Sequence, residues 1–272
     1  MINDIIKNKK LIAKLAKNDF KQKFAGSTLG VIWAFVQPVV TVLVYWIVFD
    51  KALNAGTQGT RDGINAPFVL WLSAGIVPWF YFSEVFSSGT LVLHEYNYLV
   101  KKVVFPINVL PIVKAISSLF VHGFFVMFTL IIYLLYRFPV SPYILQVIYY
   151  SFAMMCLTIG LIYLTSALCV FFRDMAQLVN IFLQVCIWAT PIMWNYDDVF
   201  KTKGAEHPVI FTLLKFNPMY YITNGYRDSF ISHVGFWTRP ALTAYFWAVT
   251  ILFFVLGTHV FKKLQSQFAD VL

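Results

Sequence analysis

Apolar residues run through this chain in six long stretches, near residues 31–49, 67–91, 105–136, 143–172, 178–193 and 241–261, with charges confined to the segments between them. Each stretch approaches the roughly 20 residues that a helix needs to cross a bilayer. The apolar positions are continuous and do not alternate, so the pattern predicts helices, not the strands of a membrane barrel. The fifth stretch is the shortest. It meets Pro191 and then wetter sequence, so it tilts or is completed by the next segment of chain.

Between residues 7 and 21 the period changes. Lys7, Lys10, Lys14, Lys17 and Lys21 recur every three or four positions, which places them on one face of a helix, with Leu11, Ile12, Leu15, Ala16 and Phe20 on the others. Two arrangements satisfy this pattern: an amphipathic helix lying along the leaflet with its apolar side among acyl chains, or a helix packed on other protein with a solvated basic face. The small residues of the run from Phe24 to Gly30 then allow a sharp turn into the first span.

The 194–240 stretch mixes charges with apolar pieces too short to cross, at 208–214 and 219–222. Short re-entrant or interfacial helices are the expectation, with a break at Asn217-Pro218. The predicted fold is therefore an all-α integral membrane protein: six transmembrane helices, an N-terminal interfacial helix over 1–30, and external re-entrant helices between spans five and six.

Composition narrows the function. The chain is 60% hydrophobic and 12% charged, about half the charge of an average soluble domain. Its net charge of +9 is mostly a matter of topology. Lys7 to Lys23, Lys101, Lys102, Arg173, Lys262 and Lys263 fall on one side of a six-span arrangement, whereas the opposite loops carry cations offset by Asp50, Asp62, Asp197, Asp198, Glu206 and Asp228. Both termini are then cytoplasmic. A basic patch flush against spans meets anionic headgroups, and no nucleic-acid partner is expected.

Catalytic chemistry finds no support. There is no GxxxxGK[ST] phosphate cradle, no HExxH and no GxSxG elbow, and Cys156, Cys169 and Cys186 sit inside predicted helices without metal spacing. Glu84, Lys114 and His122 are the only ionisable groups well inside the spans, too few for a proton- or sodium-coupled carrier. Energy is expected to come from a partner. The 94–106 connection, mixed polar and aromatic and closed by Pro106, suits a short helix seated on a soluble motor domain, though a plain connector reads equally well.

The ordered set Leu29-Gly30 before Trp33 and Pro38, Gly75-Ile76-Val77-Pro78-Trp79-Phe80, Phe105-Pro106, Arg173-Asp174, Thr190-Pro191 and Asn217-Pro218-Met219-Tyr220-Tyr221 resembles the membrane subunit of ABC-2 type polysaccharide exporters over essentially the whole chain. Residues 44–49, Gly225-Tyr226-Arg227 and 267–270 look closest to the wall teichoic acid branch of that family, with O-antigen and capsular permeases sharing the general pattern.

The resemblance implies a homodimer bound to two ATP-hydrolysing subunits, which hold ATP and Mg, exporting an undecaprenyl-pyrophosphate-linked polymer from the bacterial cytoplasmic membrane. This chain would itself hold no cofactor or metal. The pyrophosphate would meet Lys21, Lys23 and Arg173, with an ion pair to Asp174 an equal reading of Arg173. Phe24, Gly26, Leu29 and Gly30 would form an entrance turn, and Glu95, Tyr98, Lys101, Lys102 and Pro106 would couple to the motor. Trp33, Trp79, Phe80, Phe182 and Trp188 would line the path. Residues 195–239, with Asn217, Pro218, Tyr220, Tyr221 and Arg227, would close it outside. A drug or small-lipid exporter and a non-transporting scaffold are the competing functions.

Overall fold

The structure is a computed structural model that describes residues 7–23, 28–54, 56–59, 63–101, 105–204 and 206–272. Phe24, Gly26 and Lys102 lie outside the described residues.

Helix α1 (Lys9–Lys23) buries Ile12, Ala16 and Asp19, one stripe at spacings of four and three, while its lysines remain exposed. The stripe packs on protein, and Phe20 meets Phe120 at 5.6 Å between ring centroids. Gly30 then turns the chain at φ +52°, a left-handed conformation suited to glycine. Next comes the first long apolar segment (Gly30–Ala52), made of a 3-10 turn, helix α2 (Trp33–Trp46) and a π-helical turn (Ile47–Ala52). Within it only Val42 is buried.

A two-stranded antiparallel hairpin, β1 (Thr57–Gly59) with β2 (Asn65–Pro67), pairs Gln58 with Ala66. It leads into α3 (Phe68–Thr90), the central helix, whose residues from Phe68 to Trp79 are all buried. After α3 come two single-turn helices, α4 (Val92–Glu95) and α5 (Asn97–Val100). Helix α6 (Leu110–Leu135) begins with Pro111 in its first turn, where a missing N–H costs nothing. Helix α7 (Gln146–Phe171) completes the fourth long segment.

Helix α8 (Met175–Ala189) comes after a tight turn and has 15 residues. It is apolar but falls short of the crossing length, so five helical segments among the described residues are long enough to span, and the stretch expected at 178–193 is a shorter element. Thr190, in extended backbone, ends it before Pro191. Three short helices come next: α9 (Tyr196–Lys203), α10 (Pro208–Lys215) and α11 (Pro218–Arg227). Asn195 and Asn217 cap α9 and α11 by accepting from the backbone N–H two residues on. The last long helix, α12 (Pro240–Leu264), precedes a final turn, α13 (Phe268–Val271).

Helices α7 and α12 approach each other closely, and the approach depends on two glycines. A Cβ on Gly257 would stand 2.3 Å from the Gly160 carbonyl oxygen, and one on Gly160 would stand 2.8 Å from the Phe254 backbone nitrogen. Membrane helices without a hydrophobic drive between them rely on such close packing. Gly257→Leu is expected to force the helices apart at a cost of roughly 1–3 kcal/mol or more. Thermal unfolding in detergent would show this, with Gly123→Ala, where nothing lies within 4 Å of the new Cβ, as the unaffected control.

Candidate functional site

An ionic cluster ties α1, α4 and α6 together with the Tyr96 link that comes after α4. The Lys114 Nζ donates to Asp19 Oδ1 at 2.8 Å and to Glu95 Oε2 at 2.6 Å. The Tyr96 hydroxyl donates to Asp19 at 2.7 Å, and burial together with that bond pushes its pKa well above the ordinary phenol value. Asp19 is 6% exposed, so this carboxylate depends on its partners. The expected coupling segment is therefore joined to α1 and α6. His94 adds a contact from its Nε2 to the Cys169 carbonyl at the end of α7. Glu95 is half-exposed, while Tyr98 and Lys101 face outward and Pro106 is half-buried.

Beside the cluster lie two adjoining clefts. One, of about 360 Å³, is lined by Asp19, Lys23, Glu84, Glu95, Tyr96 and Lys114 among others. The other, of about 320 Å³, reaches inward between α2, α3 and α6. They share Lys23, Glu84 and Ser118. At that junction the Lys23 ammonium is paired with the Glu84 carboxylate. The first cleft sets two lysines against three carboxylates.

The three cations expected to meet the pyrophosphate stand apart. Lys23 is already neutralised, Lys21 is exposed on α1, and Arg173 is exposed in the α7–α8 turn and lines neither cleft. Nor does Arg173 pair with Asp174 among the described residues. The three cations are not brought together on one cleft.

The aromatic candidates divide likewise. Trp33 and Phe80 line the inner cleft. Trp79 is 4% exposed and packs on Phe82, so it belongs to the core. Phe182 and Trp188 stand exposed on α8.

At the other end of the molecule, the 195–239 segment is strapped down. Asn217 donates to the Thr190 hydroxyl at 2.7 Å. Tyr220 packs in a satellite cluster with Tyr196 and Phe211, and Tyr221 bonds Tyr149 and Thr243. Arg227 is the central strap: its guanidinium donates to the Pro191 carbonyl at 2.7 Å and the Ile192 carbonyl at 2.9 Å, and lies 3.3 Å from the Trp71 ring centroid. Gly75 leaves room for it, since a Cβ there would stand 2.6 Å from an Arg227 nitrogen. Arg227 is thus buried under α3. Arg239 in turn pairs with Asp228 at 2.9 Å.

Asp19 in the ionic cluster, and Gln37 and Ser118 on the lining of the inner cleft, are residues that the sequence did not single out. For Asp19 a signal existed: it is the one acid in α1 and falls on the Ile12–Ala16 stripe.

The described residues form a bundle of long apolar helices, preceded by an amphipathic helix and interrupted by two single-turn helices. Residues 10–231 match the ABC-2 type transporter family, and the chain belongs to it. An O-antigen export system permease protein of Myxococcus xanthus is 23% identical over 271 residues, covering 99% of this chain and 98% of that one. A protein of the same description from Klebsiella pneumoniae is 22% identical over 274 residues, covering 96% and 95%.

Proposed function

We propose that this chain is the permease subunit of an ATP-driven exporter that carries a lipid-linked polysaccharide outward across a bacterial cytoplasmic membrane. The end-to-end likeness to O-antigen export permeases carries this reading. The geometry agrees with it: the clefts mix rings with hydroxyl and amide groups, as a sugar requires, where an apolar drug would need little beyond hydrophobic surface. Two copies would work with two ATP-binding subunits, with both termini cytoplasmic as the lysines indicate. The exposed Tyr98 and Lys101 would meet the motor, and the ionic cluster would pass its movement to α1 and α6. The polymer's anchor would be undecaprenyl pyrophosphate. Wall teichoic acid is the narrower alternative, resting on the residue runs at 44–49 and 267–270; the relatives favour a glycan of the O-antigen kind.

The test is export from vesicles. The chain reconstituted with its ATP-binding partner is expected to move a lipid-linked O-antigen glycan to the far leaflet only with ATP, scored by protection from external glycosidase. Movement of a lipid-linked polyol phosphate alone would give the teichoic acid reading. ATP-dependent movement of a hydrophobic dye with neither polymer would overturn polysaccharide export.

A further inference from the structure

The inner cleft carries polar groups that the protein does not use. His122 stands about 18 Å along α6 from its start, deep in the apolar slab. It is 5% exposed. Its Nε2 is engaged with the Tyr226 hydroxyl at 2.8 Å and Ser151 at 3.1 Å, yet its Nδ1 is buried with no partner. The side chains of Gln37 and Ser118, on the same lining, make no hydrogen bond among the described residues. Pro38 has no N–H, so the helical bond that the Ala34 carbonyl would accept is missing, and both residues face the cleft. The His122 Nδ1 is the buried one, where an unsatisfied group costs several kcal/mol, while Gln37 and Ser118 stand accessible on the lining, so the cleft offers hydrogen-bonding groups to whatever enters it.

The remaining wall is made of rings: Trp33, Phe80, Tyr81 and Phe125. Tyr81 is present only as a ring face, because its hydroxyl is spent on the Ala115 carbonyl. A pyranose has this same division, an apolar C–H face and a rim of hydroxyls. The volume, about 320 Å³, sits at the lower end of the range for small-molecule pockets, about 300–1,000 Å³.

Charge then decides between the two ends of a lipid-linked sugar. Lys23, the one lysine or arginine among the described residues of this lining, is matched by Glu84, and the described residues of the adjoining cleft are short of positive charge by one. A phosphate entering here would meet carboxylates and no unmatched cation. We propose that the inner cleft is a saccharide site that takes one uncharged sugar unit by Gln37, Ser118, His122 and the surrounding rings, and that it turns the anchor's phosphates away. The site deepens the export reading and rests on it for what the sugar belongs to.

The full chain in nanodiscs, with Cys156, Cys169 and Cys186 replaced by alanine and Thr41→Cys placed in the cleft, tests this by maleimide alkylation. Octyl glucoside and octyl phosphate, both below their micelle-forming concentrations, are the probes. Octyl glucoside at ten times its half-protecting concentration is expected to slow alkylation about tenfold by simple occupancy, and octyl phosphate to leave it unchanged. Tyr136→Cys at the opposite end should react equally under all conditions. Gln37→Leu combined with Ser118→Ala breaks no internal hydrogen bond of either side chain and should abolish protection while leaving the thermal midpoint in place. Equal protection by both probes, protection that survives the double change, or no protection by octyl glucoside would each overturn the site. Protection in a protein that moves no glycan in vesicles would leave the site standing and remove the export reading; glycan export with no protection would do the reverse.

Discussion

Replacing Arg227 by methionine is expected to loosen the whole 195–239 segment. The substitution leaves the Pro191 and Ile192 carbonyls buried without donors, at about 1–3 kcal/mol each, and removes a stacked cation worth about 2 kcal/mol when desolvated. Relief from burying the guanidinium offsets part of that. We expect a net loss of roughly 2–4 kcal/mol from these terms. It would be measured as a lower unfolding temperature together with faster proteolysis between Lys203 and Lys215. Arg227→Lys should not restore stability, because an ammonium cannot serve two carbonyls and a ring face in one plane. Gly75→Val should copy the defect from the other side, since its Cβ occupies the guanidinium's space. If Arg227→Met and Gly75→Val both unfold at the parent temperature, Arg227 is no strap.

Lys114→Met is the second large effect. It strands the Asp19 carboxylate, 6% exposed, with only the Tyr96 hydroxyl for company, and breaking a buried pair in this way costs about 3–5 kcal/mol. Because Lys114 also holds Glu95, the same change should free α4 from α6 and leave the Tyr96–Asp19 bond as its one polar tie to α1 among the described residues. In reconstituted complexes ATP hydrolysis should persist while export per ATP falls. Adding Asp19→Leu to Lys114→Met removes the stranded charge and is expected to restore most of the stability without restoring coupling. A double variant as unstable as the single one would mean that the lost lysine packing, not the charge, was decisive.

These two residues also show what was legible in the chain. Four of the long helices begin and end within a few residues of the positions read from the apolar runs, because hydrocarbon length and charge placement set them locally. Arg227 was visible as part of an outer segment, but its partners at Trp71, Pro191 and Ile192 lie 156, 36 and 35 residues away, and no local pattern encodes such contacts. Lys114 stood out as a charge inside a span, whereas its partner Asp19 was masked by the lysines around it. The aromatic candidates share one residue type, and composition cannot say which ring faces a cleft, which fills the core and which lies open. Unpartnered groups such as the His122 Nδ1 have no sequence signature whatever; only the packing of α2, α3 and α6 reveals them.

The brevity of α8 has a consequence for the lipid itself. Fifteen residues rise about 22 Å, some 8 Å less than a typical hydrocarbon core, and the helix ends abruptly at Thr190. Such hydrophobic mismatch is met by local thinning of the bilayer or by burial against neighbouring protein. Where lipid borders α8, thinning would draw headgroups and water toward Trp194 and Asn195. A polar chain passing along that helix would then cross a thinner barrier than the surrounding membrane presents.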